Sequence, residues 1–220
     1  MRSYLQVFIS SLMSGFMITI GATVYIYLLS MNQKLQGAFL FGFGLFIIIH
    51  FELWLYTGKV GNLLDNKPKY LLKLLVCVIG NMLGVFILSS LLKTTRAITP
   101  LFIDTANNIV ASKQNDNWWS ILFLSFMCGI MIYLAVKGHQ KCSYSIGKAL
   151  IAFLAIVVFI ICGFEHCVAN VAYYTYAGIF TPITIIYFIL MIIGNGLGAI
   201  FFDAMIKLIN NVKESDKGTN

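Results

Sequence analysis

Six apolar runs alternate with polar stretches along the chain, at roughly residues 4–29, 38–64, 71–92, 118–136, 148–171 and 182–208. Most approach or exceed the roughly 20 residues that a helix needs to cross hydrocarbon. Short connections, NQKLQ and DNKPK, follow the first two runs, and a longer polar stretch runs from Lys93 to Asn117. KGHQKCSYS separates the fourth run from the fifth, and the uncharged aromatic loop AYYTYAG separates the fifth from the sixth. The pattern predicts an all-α polytopic membrane protein with six transmembrane helices, forming a single transmembrane domain over 1–220. The first run is too long for a signal-peptide core and lacks a small-residue cleavage site, so it reads as a span rather than a cleaved leader.

Two of the runs are interrupted by polar residues. Span two has about fourteen apolar residues, AFLFGFGLFIIIHF, before Glu52, and continues through LWLYTGKVGNLL. Span five has ALIAFLAIVVFIICGF before Glu165, His166 and Asn170 of GFEHCVAN. Ionisable residues at membrane depth are expensive and normally face a cavity or a partner. Both stretches are therefore expected to break their helices, with Glu52 and Glu165 orienting the breaks and half-helix N-termini aimed at a bound anion. His166 is either a neutral histidine stapling the break through backbone carbonyls or the polar centre of a pathway. His50 reads as a residue satisfied by its neighbours.

The chain also echoes itself. IGNMLG at 79–84 returns as IGNGLG at 193–198, 114 residues later, and Glu52 to Glu165 is 113 residues. Three spans per half put the second copy upside down, so the expected architecture is two inverted repeats, about 1–93 and about 114–209, with a short cytoplasmic tail at 210–220. Small residues in the GN-xx-G stretches suit close helix packing, and Asn81 and Asn195 are expected to hydrogen-bond within it.

Composition agrees with a membrane protein: 60% hydrophobic residues, 10% charged and a mean hydropathy of +0.88. The net charge of +7 changes the picture only through its placement. Eleven of the 15 basic residues fall on the side of the amino terminus. Lys34, Lys93, Arg96 and Lys113 fall on the other. That asymmetry predicts both termini in the cytoplasm and argues against nucleic acid as the partner. The five cysteines show no CxxC spacing and read as small buried residues, so no metal or other cofactor is expected.

GFEHCVAN, with SIGKALI before it and GNMLG and GNGLG in spans three and six, resembles the formate/nitrite transporter family, which includes hydrosulfide channels. The resemblance covers nearly the whole chain and implies an aquaporin-like protomer with its own pore, in a homopentamer, in the inner or plasma membrane. By that resemblance His166 is the pore-centre histidine, Asn170 the asparagine one turn on, and Phe159 an outer aromatic constriction. Lys113, sixteen residues before Gly129, resembles the lysine that draws anions to the pore, and Lys148 belongs to an inner basic rim. Span two fits in two registers. Phe41 is a further constriction residue; matched on LYTG, Leu55 and Tyr56 form an inner constriction and Thr57 faces His166. Matched on Glu52, Leu53, Trp54 and Leu55 align and the hydroxyl is lost. The chain begins at its first span, so the amino-terminal cytoplasmic segment of many members is not expected.

The resemblance implies a channel or transporter for small monovalent anions of weak acids, such as formate, nitrite or hydrosulfide, with lipid and further copies of itself as partners. A proton near His166 would let the anion cross as its neutral acid. The alternative is an aquaporin-like channel for small neutral solutes, against which stands the lack of any Asn-Pro-Ala motif. A membrane-embedded enzyme using Glu165 and His166 lacks a paired nucleophile or HExxH motif, and two buried breaks suit a scaffold poorly.

Overall fold

The computed structural model describes residues 2–218, with side chains as far as Val212 in the last helix; Thr219 and Asn220 of the expected tail lie outside the described residues. Its elements are α1 (Tyr4–Ser30), α2 (Lys34–His50), α3 (Tyr56–Lys59), a 3-10 turn (Val60–Asp65), α4 (Lys69–Lys93), α5 (Pro100–Gln114), α6 (Trp118–Lys141), α7 (Ser145–Ile161), α8 (Cys167–Ala177) and α9 (Pro182–Gly218). Four helices, α1, α4, α6 and α9, are long and apolar enough to cross a membrane. The expected second and fifth spans each resolve into a 17-residue helix, α2 or α7, and a shorter piece. At 1.5 Å per residue, 17 residues reach about 25 Å, short of the ~30 Å hydrocarbon core.

Local chemistry sets the ends. Ser3 and Gln6 form a capping box at the start of α1, and Asn117 caps α6. The stretch read as a long polar connection contains α5, a helix begun by the Thr99 cap with Pro100 in its first turn. At the far end of α8, Gly178 takes the left-handed conformation, φ 70°.

The helices pair closely where glycine removes the side chain. In the α1–α4 pair, a Cβ at Gly15 or Gly84 would overlap the carbonyl oxygen of Asn81 or Leu12. In the α6–α9 pair, one at Gly129 or Gly198 would overlap that of Asn195 or Phe126. Leu71, Leu75 and Ile79 on α4, and Ile185, Ile189 and Ile193 on α9, are exposed. Such an apolar coat is what lipid-facing or subunit-facing helices present.

Two asparagines hold the breaks. Asn81 accepts the Tyr56 N–H at 2.8 Å and donates to the carbonyls of Trp54 and Ser11, both at 2.8 Å. Asn195 accepts the Cys167 N–H at 2.9 Å and donates to the carbonyls of Glu165 and Ser125, both at 2.8 Å. The bonds to Trp54, Tyr56, Glu165 and Cys167 satisfy backbone groups that the breaks leave without helical partners in an apolar interior, and those to Ser11 and Ser125 tie each break to α1 or α6.

The correspondence corrects the role expected for Glu52. Trp54 and Tyr56 match Glu165 and Cys167 at a separation of 111 (165 − 54; 167 − 56). Glu52 therefore stands where Gly163 stands (163 − 52), and both are left-handed, φ 52° and 69°. The Glu52 side chain is 81% exposed, with one carboxylate oxygen 3.8 Å from Arg2. It orients no buried groups; the turn itself and Asn81 do.

Candidate functional site

α2 runs from the side opposite the amino terminus to the amino-terminal side, where the Arg2 guanidinium donates to the Glu52 carbonyl. The chain then turns back to the interior and starts α3. α7 runs the other way, ending where Lys34 donates to the Ile161 carbonyl, before the chain turns inward to α8. The two restarts meet in the interior.

His166 is the residue before α8 and is 3% exposed. Its Nδ1 accepts the N–H groups of Val168 and Ala169 at 3.2 and 3.1 Å. A nitrogen that accepts carries no proton, so the neutral ring holds its hydrogen on Nε2. Nε2 then donates to the fully buried Thr57 hydroxyl, 3.0 Å away on α3. Because Asn195 takes the Cys167 N–H, the first three N–H groups of α8 are all engaged. The expected aim of that helix end at a bound anion is thus corrected: it points at the imidazole, and Nε2–H is the ring's outward donor.

Lys113, in the last turn of α5, donates to both Glu165 oxygens at 2.7 and 2.6 Å. The side chains are 12% and 5% exposed. Asn170 donates to the same carboxylate at 2.7 Å, while its buried carbonyl oxygen has no partner among the described residues. The lysine charge is compensated in place, so Glu165 serves as its counter-ion rather than as the orienter of the break. The break is held through the Glu165 backbone by Asn195.

Two cavities approach this centre. A small one of about 60 Å³, on the side away from the amino terminus, is lined by Lys113, Phe159, His166, Asn170 and Tyr173, among others. A larger one of about 410 Å³, on the amino-terminal side, is lined by Ile48, Glu52, Leu55, Lys59, His139 and Lys148, among others. Thr57 lies between them and lines neither. Phe41 packs edge-on against Phe159, ring centroids 5.8 Å apart, and Phe159 lies 6.0 Å from the His166 ring. Tyr56 departs from the expected constriction, because its hydroxyl donates to the Ile192 carbonyl on α9 at 3.0 Å. Leu55 alone of that pair lines the cavity.

Lys59 and Tyr173 were not anticipated. Lys59 had a signal, a cation just after LYTG inside an apolar run. Tyr173, whose ring centroid lies 5.7 Å from the Lys113 ammonium, had none. No group of three His, Cys, Asp or Glu side chains that could hold a metal occurs among the described residues.

The model of the formate/nitrite transporter family matches residues 1–209. The chain belongs to the formate/nitrite transporter family. Among its relatives, the formate channel FocB of Escherichia coli (strain K12) is 23% identical over 185 residues, 77% of this chain and 65% of FocB. The formate channel FocA of Haemophilus influenzae (strain ATCC 51907 / DSM 11121 / KW20 / Rd) is 24% identical over 146 residues, 62% of this chain and 51% of FocA. The chain thus spans between half and two-thirds of the length of these relatives. Two solved structures share its fold. A pentameric formate channel with formate bound superposes with a TM-score of 0.81 at 20% identity, covering 95% of this chain and 98% of that one. An FNT family ion channel does so with 0.82 at 19% identity, covering 94% and 90%. As a member of the formate/nitrite transporter family with four apolar spans, the chain is a multi-pass membrane protein of a family of channels and transporters rather than enzymes.

Proposed function

We propose that the chain conducts small monovalent anions of weak acids, formate, nitrite or hydrosulfide, across the cell membrane. The observation that carries this is the His166 Nε2–H, held toward Thr57 between two cavities that approach from opposite sides. On this reading each protomer has six spans in two inverted halves, supported by the matched bonds of Asn81 and Asn195. Both termini face the cytoplasm, and protomers assemble as a homopentamer like the formate-bound structure of the same fold.

A bare anion passing Leu55 and Phe159 loses its hydration with little in exchange. The conjugate acid loses far less. A second proton on His166 would have to sit on Nδ1 and displace both N–H groups that Nδ1 accepts. The imidazole therefore donates a hydrogen bond to the passing solute, and the proton that neutralises the anion joins it from water at the mouth. Lys148 and Lys59 at the larger cavity concentrate anions there. Lys113, already paired with Glu165, polarises the smaller one.

The test is formate, nitrite and hydrosulfide flux in proteoliposomes at two pH values, for the parent and His166→Ala. The expected result is a flux that rises as pH falls in the parent and a changed flux and pH response in the variant. Unchanged flux and pH response in His166→Ala would sink the proposal. Because the Lys113–Glu165 pair brings no net charge to the smaller cavity, a neutral-solute channel is the second reading. Water or glycerol permeation in stopped-flow light scattering, with no anion flux, would favour it.

A further inference from the structure

Beside the larger cavity lies a separate one of about 270 Å³ between the start of α1, the break between α2 and α3, and α4. Three cations line it, Arg2, Lys59 and Lys73, against one carboxylate, Glu52, which leaves a local charge of +2 (3 − 1). Neutral atoms hold two of these cations in place. Arg2 donates to the Glu52 carbonyl at 3.0 Å and the Ser10 hydroxyl at 3.2 Å. That hydroxyl in turn accepts the Trp54 N–H at 3.0 Å, tying the group to the break between α2 and α3. Lys73 donates to the Arg2 carbonyl at 2.7 Å. The Lys59 ammonium stands 5.7 Å from the centroid of the Trp54 ring. The single carboxylate is a weak counterweight, 3.8 Å from Arg2 and 81% exposed.

Three like charges gathered around one cavity repel one another, and backbone carbonyls fix their geometry without neutralising them. The arrangement lowers the cost of binding an oxyanion with several acceptor oxygens, because the donors are already oriented. A guanidinium with two ammonium groups suits a phosphate better than a planar carboxylate, since the oxygens of phosphate point in separate directions. Lys59 also lines the larger cavity, so the two cavities share one cation.

We propose that this pocket binds a phosphate group, from a phospholipid headgroup or from free phosphate, and that its occupancy draws the Lys59 charge away from the pathway mouth and lowers anion flux. The binding half stands on the pocket alone; the regulatory half rests on the pathway reading. Lys73 lines this pocket and not the larger cavity, which makes it the residue to change.

The first arm titrates the full-length protein in neutral detergent with inorganic phosphate by calorimetry. The parent and Lys73→Arg bind, whereas Lys73→Gln binds at least about tenfold more weakly, the effect of one lost charge-assisted bond. The second arm measures formate flux in phosphatidylcholine vesicles, with and without phosphatidylglycerol in the bilayer or phosphate in the buffer. A several-fold fall in the parent that is absent in Lys73→Gln supports regulation. The variant shares any general effect of an anionic surface, so only the difference counts. In the flux arm, a response to phosphatidylglycerol without one to phosphate identifies lipid as the source, and a response to phosphate alone identifies the free ion. Neither phosphate heat nor a phosphatidylglycerol effect in the parent, or equal binding in Lys73→Gln, overturns the site. Binding without any change of flux overturns the regulatory half. A parent that binds phosphate but carries no anion overturns the pathway reading and leaves the site standing.

Discussion

The Thr57 hydroxyl and the His166 Nε2 lie 3.0 Å apart although 109 positions separate them in sequence (166 − 57). Each belongs to a helix restart, and the cavities that approach from the two sides stop short of Thr57, one at Leu55 and the other at His166.

Thr57→Val keeps the shape of the side chain and removes the acceptor. The stranded Nε2–H costs about 1–3 kcal/mol of stability, and formate flux falls about tenfold as the imidazole loses its fixed orientation. Thr57→Ser retains most of both. Proteoliposome flux and thermal unfolding of the three proteins check this.

Removing one partner of the Lys113–Glu165 pair leaves an uncompensated charge in the interior. Lys113→Met should therefore destabilise by about 3–5 kcal/mol. Lys113→Met combined with Glu165→Gln should recover more than half of that loss, since the second change removes the stranded charge. A double-mutant cycle by thermal unfolding in detergent measures the coupling.

Asn81→Ala strands the Tyr56 N–H and the Trp54 carbonyl, and Asn195→Ala the Cys167 N–H and the Glu165 carbonyl, because the Ser11 and Ser125 carbonyls keep their helical partners. Both should cost about 1–3 kcal/mol or more. Asn195→Ala should reduce flux the more, because it frees the stretch that carries His166. Comparing flux at matched amounts of folded protein separates the two effects.

Glu52→Gly relieves a left-handed residue that carries a side chain, φ 52°. The expected gain is about 1 kcal/mol, with little lost from its exposed contact to Arg2. A Glu52→Val variant, β-branched at the same φ, should instead lose at least about 1 kcal/mol. Melting temperatures of the two variants against the parent decide it.

Much of this architecture was legible because membrane burial writes itself as long apolar runs, and because GFEHCVAN concentrates polar residues where hydrocarbon forbids them. The IGNMLG and IGNGLG stretches marked Asn81 and Asn195 as paired fixtures. The spacing of the two glutamates misled, since identity of residue type is a poor guide to register. What corresponds in the two breaks is backbone shape, and Glu52 and Gly163 share a left-handed φ. α5 was missed although Thr99-Pro100 is a helix start, because its middle, IDTANNIVASK, is too polar to read as a span. The Lys113–Glu165 pair joins residues 52 positions apart, and nothing local in either segment announces its distant partner. Leu55 and Thr57 needed side-chain direction to tell apart. Both are buried near the centre, one facing a cavity and the other the histidine.

The glycine contacts within α1–α4 and α6–α9 have a mechanical consequence. Where carbonyl oxygens already sit in the space of a missing Cβ, neither helix has slack to slide or roll against its mate, and close-packed interfaces do not deform gradually. The pairs behave as a rigid casing, and on the proposed pathway the interchangeable fittings are Leu55, Phe159 and the residues behind them. Retuning which solute passes should therefore be a matter of exchanging those side chains, with the casing left untouched.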